Sequence, residues 1–270
     1  MDRPIYRHSI AVRAAHWLWF VAMLVLLTSG LQIFNASPSL DASDKSDPAR
    51  RVLAIDGGTD PKTGAPVGTV TLFGHVFRTT GVLGYTDDGM GMKEARAFPG
   101  WITLPNYQDL ADGRRWHLFF GWLLIIALAT YGVSAAVRGD LRELILRPSD
   151  FPKMLPMQLY YLKLRKDPPP HGKYNPLQKA TYNLVLFILI PLMILTGIAL
   201  SPGIDAIANP LTAVLGGRQF ARLWHFTIML ILIGYFGVHL FFVVTTRPVE
   251  NLRSMITGWY RLGPHDGVGP

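Results

Sequence analysis

"RLWHFTIMLILIGYFGVHLFF" fills positions 222–242, and its reading decides the fold. After Arg222 it carries no formal charge, and about twenty apolar residues suffice to cross the hydrocarbon core of a bilayer as a helix. Yet it holds two imidazoles, His225 and His239. An ionisable side chain inside such a segment is costly and marks a function by default.

Three further stretches are equally free of charge. With this one they give four expected spans at about 14–34, 118–137, 180–201 and 223–246. Half of the 270 residues are hydrophobic and only 16% are charged, where a soluble domain carries about a quarter. The expected fold class is an all-α membrane protein. It is a four-transmembrane-helix bundle forming one domain over 1–270, with a long connection at about 35–115 between the first two helices. The chain has no cysteine, which excludes thiolate metal sites, iron–sulfur ligation, c-type haem attachment and disulfides.

The net charge of +8 is mostly juxtamembrane, so topology explains it better than nucleic acid does. Arg3, Arg7 and Arg13 precede the first span. Arg138, Arg142, Arg147, Lys153, Lys163, Arg165, Lys166, Lys173 and Lys179 crowd the connection between the second and third. Arg247, Arg253 and Arg261 follow the fourth. The positive-inside rule then places both termini and the 138–179 connection in the cytoplasm, and the 35–115 segment in the periplasm. Within that segment "GAPVGTVTLFGHVFRTTG" alternates enough to predict a short hairpin. On the inner side "FPKMLPMQLYYLKLRK" is amphipathic and too short to span, so it belongs at the interface.

Four of the eight histidines fall in or at the edge of spans: His16, His117, His225 and His239. His225 and His239 are fourteen residues apart, which is about 21 Å along a helix and only about 40° short of four full turns. They share a helix face at two depths. By the expected topology His16 lies near the inner surface with His239, and His117 near the outer surface with His225. Two imidazoles facing each other across a bundle suit axial ligation of a planar metal macrocycle, since haem iron takes histidine ligands. Zinc would want three or four ligands at one depth. Two haems b use all four histidines, as iron-ligating and cofactor-binding residues.

A repeat runs through the spans. "RRWHLFFGWLLIIALATYG" aligns with "ARLWHFTIMLILIGYFGVH" on Arg114/Arg222, Trp116/Trp224 and His117/His225. "RAAHW" aligns with "KATYN", and "LLTSG" with "MILTG". His16 then corresponds to Tyr182, and His239 to Tyr131. Gly30, Gly121, Gly197, Gly234 and Gly237 fall where a flat macrocycle needs room, or where helices touch through small residues.

"RAAHWLWF…LLTSGLQIF", "RRWHLFFGW", "YNPLQKATY" and "RLWHF…GVHLFF" together resemble the di-haem cytochrome b subunits of nickel–iron hydrogenases, formate dehydrogenases and thiosulfate reductases, and most closely the thiosulfate-reductase type. The likeness covers all four spans but not the 35–115 segment. It implies an inner-membrane subunit that relays electrons between quinone and a periplasmic oxidoreductase, here one of the molybdopterin-dependent kind. It also implies a quinone site near the inner haem, carried by Asn175 and Gln178, with Tyr182 one turn further in. "YNPLQK" also reads as a polar helix start with proline in its first turn. Two rivals stand beside this reading. One is a stand-alone quinone-linked di-haem oxidoreductase acting on superoxide or ferric ion. The other is a haem-free transporter or anchor.

Overall fold

The computed structural model describes residues 4–139, 141–172, 174–205, 209–245 and 247–261. Arg3, Lys173 and Thr246, which figured in the topology and span expectations, lie outside the described residues. Six helices carry the argument. They are α1 (Ile10–Asn35), α2 (Leu110–Val137), α3 (Phe151–Tyr161), α4 (Pro176–Leu200), α5 (Arg218–Thr245) and α6 (Pro248–Thr257). Four of them, α1, α2, α4 and α5, are long and apolar enough to cross a membrane. Only 11% of the most apolar window of α1, α2 and α5 is buried. Phe119, Val133, Leu230 and Phe241 point outward from them. A helix apolar on every side needs an apolar surround, which lipid supplies.

The helices begin earlier than hydropathy predicts. α2 starts eight residues ahead of the expected span and α5 five. Polar first turns satisfy their own N–H groups and extend a helix beyond its apolar part. α4 shows this directly. Asn175 caps it, accepting from the Gln178 N–H at 2.9 Å, while Gln178 Oε1 accepts from the Asn175 N–H at 3.1 Å. Pro176 stands where its missing N–H costs nothing. Further on, α4 widens into a π-helical turn at Val185–Leu189. Pro191 stands two residues beyond it, and its ring has no room for the carbonyl four residues back.

The chain divides into two compact units, and each long helix gives one segment to each. Unit 1 comprises 1–17, 127–192 and 230–270. In it β1 (Pro4–Tyr6) pairs antiparallel with a terminal strand, Trp259–Arg261, so the two ends of the described chain lie together. The Arg13 guanidinium donates to the Ile256 carbonyl, and Trp17 Nε1 donates to that of Met255 at 3.0 Å. α3 is tied to α4 by the Lys179–Asp150 ion pair at 3.1 Å and by Asn175 Nδ2, which donates to the Tyr161 hydroxyl at 2.9 Å.

Unit 2 comprises 18–126 and 193–229. The expected hairpin is there: β4 (Pro66–Leu72) and β5 (His75–Arg78) join through Phe73 and Gly74, both at positive φ, as a two-residue hairpin turn requires. It is part of something larger. β2 (Ser39–Asp41), β3 (Arg51–Thr59), β4 and β5 form one antiparallel sheet. β6 (Gly84–Asp87) and β7 (Lys93–Arg96) form a second hairpin. The hairpins touch through glycine. A Cβ on Gly68 would stand 2.2 Å from the Leu83 carbonyl oxygen, which no side chain survives. Phe34 of α1, Leu40, Ile55 and Ala97 form a buried core, with Phe226 of α5 packed on it. Arg96 is the polar centre. Its buried guanidinium donates to the carbonyls of Phe98, Asp88 and Asn106, to Thr103 Oγ1, and to Gln32 Oε1 of α1.

Candidate functional site

In unit 2 the rings of His117 (α2) and His225 (α5) face each other with centroids 6.1 Å apart and planes at 63°. Each ring is held from behind by a hydroxyl. Ser29 Oγ lies 3.1 Å from His117 Nδ1, and Thr196 Oγ1 lies 2.9 Å from His225 Nδ1. Each hydroxyl proton already has an acceptor. That of Ser29 goes to the Val25 carbonyl at 2.5 Å, and that of Thr196 to the Met193 carbonyl at 3.0 Å. A hydroxyl has one proton and two lone pairs. Both oxygens therefore accept from the rings, Nδ1 carries the ring proton, and Nε2 keeps its lone pair on each histidine. Such an anchor on the far nitrogen fixes both tautomer and orientation of a metal-ligating imidazole.

Glycine completes the seat. A Cβ on Gly30 would come 3.2 Å from His117 Cε1, and one on Gly197 would come 3.3 Å from His225 Cε1. These two glycines leave room for the imidazoles. Gly121, Gly234 and Gly237 have no protein atom within 4 Å of an added Cβ. Ser29–Gly30 and Thr196–Gly197 are the last two positions of "LLTSG" and "MILTG". The repeat thus places the same hydroxyl–glycine pair against the same histidine twice.

In unit 1 the rings of His16 (α1) and His239 (α5) stand 6.4 Å apart with planes at 53°. Their surroundings are aromatic. Trp17 lies edge-on to His16 at 5.4 Å, and Tyr235 lies 6.1 Å from His239. Among the described residues no hydroxyl braces this pair, and His16 Nδ1 is buried with no hydrogen-bond partner.

These side chains fit an iron macrocycle. An imidazole nitrogen stands about 2 Å from a bound metal ion, so two axial imidazoles on one metal have ring centres roughly 6 Å apart. Both pairs have that spacing. Among the described residues no three His, Cys, Asp or Glu side chains gather as a metal group.

The three residues expected at a quinone site lie in unit 1. The Asn175 side chain is committed to the α4 cap and to Tyr161, and Gln178 Oε1 is committed to the same cap. The helix-start reading of "YNPLQK" is realised. What the cap leaves over is the Gln178 amide Nε2. Tyr182 packs edge-on against Tyr174 at 5.6 Å. Sequence reasoning missed Ser29 and Thr196, although their matched places in the repeat were a usable signal.

A family model described as prokaryotic cytochrome b561 matches residues 7–258. A protein of Azospira oryzae named as a protein-methionine-sulfoxide reductase subunit, YedZ1, is 26% identical over 259 residues, covering 96% of this chain and 100% of that protein. Cytochrome YdhU of Escherichia coli K12 is 34% identical over 92 residues, 33% of each chain.

Proposed function

The chain belongs to the prokaryotic cytochrome b561 family and is a multi-pass membrane haem electron-transfer subunit, and from that premise we propose that it binds two haems b and relays electrons between membrane quinone and a periplasmic oxidoreductase. His117 and His225 hold one haem, and His16 and His239 hold the other. The observation that carries this is the pair of facing imidazole couples at 6.1 and 6.4 Å, carried on three of the four apolar helices.

When bound, each haem supplies one-electron chemistry at iron. The chain's own residues do the rest. Ser29 and Thr196 hold the Nδ1 protons of two ligands and keep their Nε2 lone pairs available. The apolar helices exclude water. Gln178 Nε2 is a donor for a quinone carbonyl, and Tyr182 lies one turn further along the same helix. Asn175 acts by capping that helix and so positions Gln178.

The partner is a periplasmic oxidoreductase of the molybdopterin kind. We read its reaction as the one that the name of the Azospira relative gives, the reduction of methionine sulfoxide in proteins. The β structure of the α1–α2 connection is the docking face. The chain is a single domain in the bacterial inner membrane with both termini in the cytoplasm, and the pairing of β1 with the terminal strand supports placing the ends on one side.

Inner-membrane vesicles carrying the complex test this. Added quinol reduces both haem signals, and methionine sulfoxide then reoxidises them. A tag at Gly64 is reachable from the periplasm, and fusions at Pro270 are active in the cytoplasm. Haem signals that ignore quinol, or a protected Gly64 tag, would contradict the proposal.

A further inference from the structure

Met90 and Met92 lie in the loop that joins β6 to β7. The chain has nine methionines. Among the described ones only these two are exposed, at 75% and 72%. Methionine is ordinarily among the more buried residues. The loop that displays them is firmly built. Asp88 Oδ1 accepts from the N–H of Met90 at 2.7 Å and of Met92 at 3.0 Å, and the Asp88 N–H donates to the Met92 carbonyl at 2.9 Å. Gly89 and Gly91 turn the chain at φ of 85° and 93°, where side chains are strained. The Asp88 carbonyl takes a bond from Arg96 at 3.2 Å, and the other arm of that guanidinium reaches Gln32 on α1. Ser29, which braces His117, is three residues before Gln32. Two thioethers are thus held in solvent on the unit that carries His117 and His225.

We propose that Met90 and Met92 are a modification site: a hydroperoxide or hypohalous acid oxidises them to sulfoxide, and the reductase that this chain feeds restores them. The second half rests on the reading of the partner as a methionine-sulfoxide reductase. In the forward step the sulfur takes one oxygen atom and loses two electrons. The O–O bond breaks, leaving water or an alcohol, or the O–halogen bond breaks, leaving halide and a proton. In the return step the S–O bond breaks with two electrons and two protons, and the oxygen leaves as water. Quinol supplies the electrons through this chain. Oxidation converts an apolar side chain into a polar one.

The intact complex, treated with dilute hydrogen peroxide and mapped by peptide mass spectrometry, tests the first half. Sulfoxide appears at Met90 and Met92 at least several-fold faster than at the other described methionines. Equal rates would overturn the site. Quinol is then added, with a free methionine-sulfoxide peptide as control. Both sulfoxides disappear in the unmodified complex. If the complex reduces the peptide but leaves Met90 and Met92 oxidised, the proposal falls and the reading of the partner stands. If it reduces neither, both fall.

Discussion

The two histidine pairs use the same residue type at nearly the same spacing, and the protein holds them in different ways. His117 and His225 are each locked from behind by a hydroxyl whose own proton is spoken for, and a glycine lets each ring sit against its neighbouring helix. His16 and His239 have aromatic walls and, among the described residues, no such lock, and one ring nitrogen is buried without a partner. The first pair is pre-organised by the chain. The second is set by packing and by whatever lies between its rings. The difference follows the repeat. The hydroxyl–glycine pair occurs on both α1 and α4, so the site at that level is two-fold in character. At the other level the repeat gives His16 and His239 once and Tyr182 and Tyr131 in the matching places.

The strongest way to break the comparison is to remove a ligand. His117→Ala or His225→Ala should abolish one haem signal and leave the other, and His16→Ala or His239→Ala should do the reverse. Reduced-minus-oxidised spectra at low temperature measure this. Loss of the same signal from His16→Ala and His225→Ala would mean that the pairs are wrong.

Next in size is Arg96→Leu. It strands several buried acceptors, each worth about 1–3 kcal/mol when left unsatisfied, so the unit should lose at least about 3 kcal/mol. In a thermal ramp the His117/His225 haem signal should disappear at a clearly lower temperature than in the unmodified protein, and ahead of the His16/His239 signal. A simultaneous, unshifted loss would show that Arg96 is not the anchor.

The hydroxyl brace can be removed alone. Ser29→Ala and Thr196→Val should each weaken retention of the His117/His225 haem by roughly 10- to 100-fold, the usual cost of losing a partner behind a metal ligand. The His16/His239 haem should be unaffected. Haem loss to apomyoglobin, followed for each signal separately, gives the answer.

Smaller again is Gln178→Leu. It removes one neutral hydrogen bond to a quinone carbonyl, about 0.5–1.5 kcal/mol or roughly three- to twelve-fold in affinity. Asn175→Leu should cost α4 its cap, and so act through helix stability as well. Titration with a quinone-analogue inhibitor separates them: Gln178→Leu shifts the titration with an unchanged melting temperature, whereas Asn175→Leu moves both.

The smallest effect expected is on the acid limb of stability, and each unit has a clamp there. Burial pushes the Asp41 carboxyl up, but bonds from Arg51, the Asp47 N–H and Ser46 outweigh it and hold it below the usual 3.8. The Arg147 N–H, followed by Lys179, holds Asp150 low against burial. A carboxyl depressed in the folded state adds stability that is fully present above its ordinary value and is lost as pH falls through the folded one. Asp41→Asn and Asp150→Asn should therefore flatten the fall in melting temperature below about pH 4. An unchanged slope would remove these two groups from the acid transition.

The spans and their histidines were legible because both signals are local: twenty apolar residues in a row, and an imidazole where none is expected. The early starts of α2 and α5 were not legible, since helix ends are set by capping and not by hydropathy. The β structure was read only within 64–81, where residues alternate. β3 runs through Asp56–Gly57–Gly58 near its end, and β6 and β7 are four residues each, so their pairing depends on distant partners and on glycines that let two hairpins touch. Ser29 and Thr196 are small polar residues in apolar runs, and only the facing ring gives them a role.

The central claim is two haems in one chain, one per histidine pair. The haem-to-protein ratio of the purified chain, from a pyridine haemochrome assay and quantitative amino-acid analysis, tests it most directly. The account predicts two haems b per chain, falling to one in His117→Ala and to one in His16→Ala. A ratio of one in the unmodified protein, unchanged by one of these substitutions, would contradict it.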